Sequence, residues 1–322
     1  MTAGKGGLRA PGNAAVAGKR AYRLLLGTLL LTLLVACGNG PAAGCAPVGS
    51  GDLFYTRYAG EPNLKKVHYS YSNGKLTLGQ PQTIATLQGV DGVAWAPDGD
   101  LLVGSQSDLV HKVKAANGKV TDVKSGGASA FHVVVDPGGK KAYVTGIPGA
   151  VGVIPLNPFG NGTTHQLKGE DVVVTTIAFD GSGNAFYTSS GPGGFGAFGQ
   201  INLGAFTTKR SLQAQEGMHG MAFDSYTGNL VTFGGHRIVQ IDPKTRQIVS
   251  ELQVKGASAL DQGTVNGRGY IYVADNNGQL VFVDYSKSKK VGDPKNVVLT
   301  AQLETNLDDV APVSGPGSEP CK

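Results

Sequence analysis

Asp91, His132, Thr175, His219, Asp261, Asp308 and Asp309 are the residues of this 322-residue chain whose types and spacing could do chemistry. They fall on two adjacent positions of a pattern that recurs along the chain, so any fold that superposes its copies gathers them. Carboxylates gathered in that way suit a hard cation, Ca²⁺ or Mg²⁺, for which Asp91, Asp261 and Asp308 are the expected ligands. Two imidazoles with an aspartate could instead hold Zn²⁺, and an imidazole titrates where a general base must. The plainer reading is a hydrated polar rim, since Asp at a strand start also serves turns.

The pattern that must position them is read in five copies. They are Asp91-Gly-Val-Ala-Trp-Ala-Pro-Asp-Gly99, Phe131-His-Val-Val-Val-Asp-Pro-Gly-Gly139, Thr175-Thr-Ile-Ala-Phe-Asp-Gly-Ser-Gly183, His219-Gly-Met-Ala-Phe-Asp-Ser-Tyr-Thr-Gly228 and Asp261-Gln-Gly-Thr-Val-Asn-Gly-Arg-Gly269. Their first residues are 40, 44, 44 and 42 residues apart. Each copy is a short apolar strand entering an Asp, Gly or Pro turn. A second apolar strand follows, such as Leu101-Leu-Val-Gly104 or Ala142-Tyr-Val-Thr145, then a third, such as Arg237-Ile-Val-Gln-Ile-Asp242, and a more polar fourth. Four short strands in a repeat of this length make one blade of a β-propeller. Fifty glycines among 322 residues fit many tight turns, and no amphipathic helix of ten residues is readable.

The chain ends supply the remaining blade. Asp52-Leu-Phe-Tyr-Thr-Arg57 matches the second strands but has no first strand before it, while Leu307-Asp-Asp-Val-Ala-Pro312 matches the first strands but has no second after it. Six blades are expected, one shared between the termini, with residues 307–314 beside 52–58; seven is the alternative. Closure of this kind pairs edges that would otherwise be open. Cys45 and Cys321 flank the gap where a hairpin would otherwise sit, so a disulfide there replaces the missing turn; two free thiols are the other possibility.

Lys5, Arg9, Lys19, Arg20 and Arg23 precede an apolar run from Leu24 to Val35, too short for the roughly 20 residues of a membrane span. That is the form of a secretory signal over residues 1–36. Leu34-Val35-Ala36-Cys37 resembles the bacterial lipobox, which makes Cys37 the expected lipidated N-terminus, residues 37–50 a Gly, Pro and Ala tether, and residues 51–322 the propeller. The protein is then expected in the cell envelope, exported and held to a membrane by lipid. Residues 1–36 carry five of the 28 basic residues and none of the 23 acidic ones, so the remainder is balanced. Nucleic acid is therefore not an expected partner. A monomer is expected.

Asp136-Pro-Gly-Gly-Lys-Lys-Ala-Tyr-Val-Thr145 resembles the turn and Tyr-Val-Thr strand of the YVTN repeat, and residues 52–314 resemble the bacterial YVTN and NHL type propellers. The resemblance implies the fold, and binding or scaffold roles in the envelope. More distantly, the chain is similar to the gluconolactonase-type lactonases, with a divalent metal in the channel, and to the streptogramin B lyases, with a catalytic His and magnesium. It departs from both. Asn is missing from the matching inner-strand positions, and Glu216 precedes His219 without a second His in the lyase pattern.

A binding scaffold that offers a propeller face to a protein or a small ligand is the expected function. A metal-dependent hydrolase or lyase at the channel mouth, with His219 or His132 as general base, is the alternative. Among other features, His236 is expected to face solvent on the ring side, and the Gly-rich stretch Ser189–Phe198 to be a contact surface.

Overall fold

The computed structural model describes residues 49–146, 149–189 and 195–312. The expected leader, residues 37–48 of the expected tether, and Cys37, Cys45 and Cys321 lie outside the described residues, whereas Ser50, read as the tether's last residue, opens the first strand.

Six small antiparallel sheets form the architecture, each a blade counted from its inner strand outward. The chain enters through β1 (Ser50–Arg57), β2 (Leu64–Ser72), β3 (Lys75–Leu78) and β4 (Gln82–Ala85), the outer part of blade 1. Blade 2 is β5 (Val90–Trp95), β6 (Leu101–Ser105), β7 (Leu109–Val113) and β8 (Val120–Lys124). Blade 3 is β9 (His132–Val135), β10 (Lys141–Gly146), β11 (Ala150–Pro155) and β12 (Thr163–Gln166). A two-residue strand, β13 (Lys168–Gly169), precedes blade 4, which is β14 (Val174–Phe179), β15 (Ala185–Ser189), β16 (Phe195–Asn202) and β17 (Thr207–Glu216). Blade 5 is β18 (Gly220–Asp224), β19 (Asn229–Gly234), β20 (Arg237–Asp242) and β21 (Gln247–Gln253). Blade 6 is β22 (Leu260–Val265), β23 (Tyr270–Asp275), β24 (Gln279–Asp284) and β25 (Val297–Gln302). Finally β26 (Leu307–Pro312) pairs with β1 as the inner strand of blade 1, Phe54 opposite Ala311 and Tyr55 opposite Val310.

Six blades with a shared terminal blade are therefore what the repeat spacing predicted. The last residue of each repeat copy explains why the pattern carries glycine there. Gly99, Gly139, Gly183, Gly228 and Gly269 have φ of 84°, 65°, 82°, 75° and 91°, a region in which a Cβ is strained. Blade 1 has no such turn, because its first two strands come from opposite ends of the chain.

Six apolar clusters fill the six seams between neighbouring blades, since a sheet this small must cover both faces. The closing seam between blades 6 and 1 is the most aromatic. Tyr55, Tyr69, Tyr272 and Phe282 are buried there with Leu307 and Val310, and the Tyr272 hydroxyl donates to that of Tyr69 at 3.0 Å. At its rim Glu304, just before β26, accepts from the Tyr55 hydroxyl at 2.8 Å and from the Lys65 ammonium. Two blade-1 side chains thus grip the segment that delivers the last strand.

Candidate functional site

The inner strands do not begin as regular ladders. Between Val90 and Val93, between Val174 and Thr176, between Leu260 and Gly263 and between Leu307 and Val310, one more residue passes on the inner strand than on its partner. These are β-bulges, which re-aim side chains that strict alternation would send into the seams. Asp91, Thr175, Asp261, Asp308 and Asp309 all sit in them. In blades 3 and 5 the ring residues His132 and His219 stand at, or just before, the strand start.

The end of one blade's second strand holds the start of the next blade's inner strand. Ser105 N donates to Ala130 O and Leu260 N to Gly235 O, each at 2.8 Å, while Thr145 Oγ1 donates to Thr175 O and Thr188 Oγ1 to His219 O. Asn276 Nδ2 donates to Leu307 O at 2.8 Å across the closing seam. The ring is therefore built on backbone fixed from two blades at once.

Across the channel, side chains from opposite blades meet. Gln262 of blade 6 donates from Nε2 to Thr176 Oγ1 of blade 4 at 2.7 Å and lies 3.4 Å from His132 Nε2 of blade 3. Two glycines make the crossing possible. A Cβ on Gly220 would lie 2.8 Å from Gln262 Oε1 and 2.4 Å from Asp261 O, and one on Gly92 would lie 3.3 Å from His132 Nδ1. His132 and His219 are edge to face with centroids 5.7 Å apart. The second column of the repeat thus bridges the channel beneath the first.

Asp91, His132, His219, Asp261, Asp308 and Asp309 stand within reach of one another, with Thr175 in the matching bulge of blade 4, but they do different things. His219 Nε2 pairs with Asp261 Oδ1 at 2.8 Å, and Asn276 Nδ2 donates to Asp261 Oδ2 at 2.8 Å. Asp309 has both oxygens engaged by backbone: Oδ2 accepts from Val93 N at 2.8 Å and Oδ1 from Val310 N at 2.7 Å. That ties the inner strand of blade 1 to that of blade 2. Asp91 and Asp308 hydrogen-bond to each other, and the side-chain nitrogen facing Asp91 is His132 Nδ1, 3.6 Å away. Four buried polar atoms at the ring make no hydrogen bond, His132 Nδ1, Thr175 Oγ1, Asp308 Oδ2 and Asp261 Oδ1, and of these Asp261 Oδ1 has the imidazole of His219 against it at 2.8 Å.

Protonation follows these partnerships. Burial raises Asp91 well above the carboxylate range, with Asp261 and Asp309 adding to it. Burial does the same to Asp308, with Asp91, Asp261 and Asp309 adding. Burial pushes Asp309 up to about 7 despite its two N–H donors. Burial acts on Asp261 in the same sense, yet the charge and hydrogen bond of His219 outweigh it and hold Asp261 below its ordinary value. Burial would lower His219, but Asp261 wins and raises it. His132, buried beside His219, is driven down to about 3 and is neutral.

Among the described residues no three or more His, Cys, Asp or Glu side chains are gathered tightly enough to hold a metal ion. Of Asp91, Asp261 and Asp308, the residues expected to ligate Ca²⁺ or Mg²⁺, Asp261 is engaged by His219 and Asn276.

Elsewhere, Glu216 is not a partner of His219. It faces His236 Nδ1, accepts from His236 N at 2.9 Å, and lies 3.4 Å from Arg237 Nε. His236, 35% exposed, therefore stands against Glu216 as well as facing solvent. His111 is buried between Asp122 Oδ1 at 2.8 Å and Gln88 O at 3.0 Å. Of the Gly-rich stretch Ser189–Phe198, residues 190–194 lie outside the described residues, and Phe195 is half exposed. The sequence reading missed an open groove of about 620 Å³ on the opposite face, between blades 3 and 4, where Asp136, Tyr143, Phe179, Asn184, Gln200 and Lys209 meet. Its only sequence trace is that Asp136 and Asn184 belong to or adjoin repeat turns.

No family model matches the chain, and no curated protein does. Among solved structures, it is similar to a structural genomics protein of unknown function from Bacteroides thetaiotaomicron, with 14% identity and a TM-score of 0.46 over 74% of this chain and 77% of that one.

Proposed function

We propose that this protein is an exported envelope lipoprotein, anchored through Cys37, whose propeller serves as a binding scaffold and takes a small ligand at the bridged channel mouth. One observation carries the choice of site. His132 Nδ1, Thr175 Oγ1 and Asp308 Oδ2 are buried there without partners, and a buried polar group left unpaired costs stability unless a ligand or water completes it. Perturbed carboxyls beside an imidazole are also typical of functional sites rather than of plain structural cores.

Binding, not metal-dependent hydrolysis, is the better supported reading. A lactonase or lyase of the metal-dependent kind needs an ion to polarise substrate or activate water, and among the described residues no three His, Cys, Asp or Glu side chains are grouped to hold one.

The test is a thermal-shift panel on the mature protein, with divalent ions, amines, carboxylic acids and neutral sugars, run against Asp261→Ala combined with Asp308→Ala. A ligand should raise the Tm of the wild type and leave that variant unmoved. A panel with no effect, or equal effects on both proteins, removes the mouth as the site. Mass spectrometry of the membrane fraction tests the anchor: an unmodified N-terminus at residue 37, or the intact leader, refutes it.

A further inference from the structure

We propose that the channel mouth binds a primary ammonium group, the amine end of its ligand, against Asp91 and Asp308. This rests on the reading of the mouth as the ligand site and names the chemistry of what it takes.

The inference comes from counting which carboxyls are already engaged. Asp309 has backbone N–H groups on both oxygens, and Asp261 has His219 on one and Asn276 on the other. Asp91 and Asp308 remain. They hydrogen-bond to each other, and among the described residues no Lys or Arg lies within 4 Å of either. The imidazole nearest Asp91 is that of His132, 3.6 Å away. Its Nε2 faces the Gln262 amide N–H, so Nδ1 carries the hydrogen and the ring adds no charge. Asp308 is 4% exposed and its Oδ2 has no donor. The pair therefore lacks a positive charge, and only Asp91 has N–H groups at hand, those of Gly92 and His132.

Two carboxyls are too few for a calcium ion, which takes about 6–8 oxygens. An ammonium supplies the missing charge with three N–H donors on a compact head. One of them matches the open Oδ2 of Asp308, a second is shared with Asp91 beside it, and the third is left for water. A guanidinium suits the pair less well, because its flat fork engages one carboxylate by both oxygens, while here Asp308 offers one open oxygen and is hydrogen-bonded to Asp91. The alkyl part would leave on the side of His219, whose side chain, 23% exposed, is more open than those of Asp261, His132 and Asp91.

Butylammonium, tetramethylammonium, 1-butanol, Mg²⁺ and Ca²⁺ are the probes, titrated into the mature protein at constant ionic strength and followed by Tm and calorimetry. Butylammonium is expected to bind and to raise the Tm by about 2–4 °C at saturation. Tetramethylammonium has the charge without N–H donors, 1-butanol has the chain without the charge, and neither should bind. Asp91→Asn with Asp308→Asn should lose the response to butylammonium. Equal binding of tetramethylammonium, or butylammonium binding retained by the double variant, overturns the proposal. Should that variant fail to fold, the butylammonium and tetramethylammonium comparison on wild type still decides. A response to divalent ions or sugars but not to butylammonium removes the ammonium and keeps the mouth as the site. Silence from every probe and from the wider panel removes both.

Discussion

The two sides of the channel mouth start from the same backbone and end in opposite electrostatic states. On the side of blades 5 and 6, Asp261 in its bulge meets His219 and Asn276, and is an ionised half of a pair. On the side of blades 1 and 2, Asp91 and Asp308 in equivalent bulges meet each other, and both are pushed toward the protonated form. The repeat supplies the height of a carboxyl in the channel, whereas its charge depends on which single neighbour stands beside it. A symmetric scaffold thus presents an asymmetric site.

The largest effect should come from breaking the paired side. His219→Ala leaves Asp261 buried without its cation, next to Asp91 and Asp308, and removing one partner of a buried pair costs about 3–5 kcal/mol. Urea unfolding should show that loss, and Asp261→Asn added to His219→Ala should recover a good part of it. A loss below about 1 kcal/mol would mean that the pair does not hold this side.

The glycine beside each side separates them again. A Cβ at Gly220 would come within 2.4 Å of Asp261 O and 3.0 Å of Gln262 Cα, backbone that cannot give way, whereas at Gly92 the nearest atom, Phe131 O, is 3.0 Å away. Gly220→Ala should therefore cost about 2–3 kcal/mol, as overpacking does, and Gly92→Ala clearly less. Equal midpoints for the two variants in a denaturant titration would show that Gln262 does not bridge the channel as described.

Much of this was legible in the sequence because a propeller turns repeat columns into rings. The spacing of five copies and the complementary ends, Asp52–Arg57 and Leu307–Pro312, led to the blade number and to the closing strand pair. The same column alignment singled out six residues that the inner strands bring within reach of one another, Asp91, His132, His219, Asp261, Asp308 and Asp309. What it could not supply was contact. Nothing local in Leu260-Asp261-Gln262-Gly263 announces a bulge, since a bulge is a count of residues against a partner strand. That Gln262 would reach His132 and Thr176 on other blades depends on the channel's width. Asp309, read as a channel carboxylate, is tied to backbone because β26 arrives beside β5 from the far end of the chain. Glu216 stands three residues from His219, yet it pairs with His236 because β17 and the β19–β20 turn meet at that corner. The groove between blades 3 and 4 is made by turns some 20 to 70 residues apart, each ordinary by itself.

The unpaired side should also dominate the pH dependence just above neutrality. Asp309 is ordinarily at 3.8 and is raised to about 7 in the fold, so its proton favours the native state, and that contribution is lost as pH rises through 7. Asp91 and Asp308 are raised in the same direction, and so is His219 from 6.5. His132 acts oppositely, because lowering it from 6.5 to about 3 penalises the fold only while the unfolded imidazole is charged. Above 6.5 that penalty is gone and only losses remain. Unfolding free energy should fall by about 1–2 kcal/mol between pH 6.5 and 8.5, at 1.36 kcal/mol per proton per pH unit as an upper slope. Asp309→Asn should flatten the fall, and a stability that rises across this window would contradict the assignment.

The smallest effect expected has the opposite sign. Asp91→Asn keeps the shape of the side chain, removes one of two buried carboxyls that face each other, and offers Asp308 an amide N–H in place of an acid oxygen. A buried acid without a cation works against the fold, so its neutral isostere should stabilise the protein by about 1 kcal/mol, in line with other relieved buried charges. The same substitution on the paired side, Asp261→Asn, should destabilise instead, because it strips His219 of its counter-charge. Equilibrium unfolding of the two variants at pH 8 is the sharpest form of the comparison: shifts of opposite sign are required, and shifts of the same sign would mean that the two sides of the mouth are electrostatically alike.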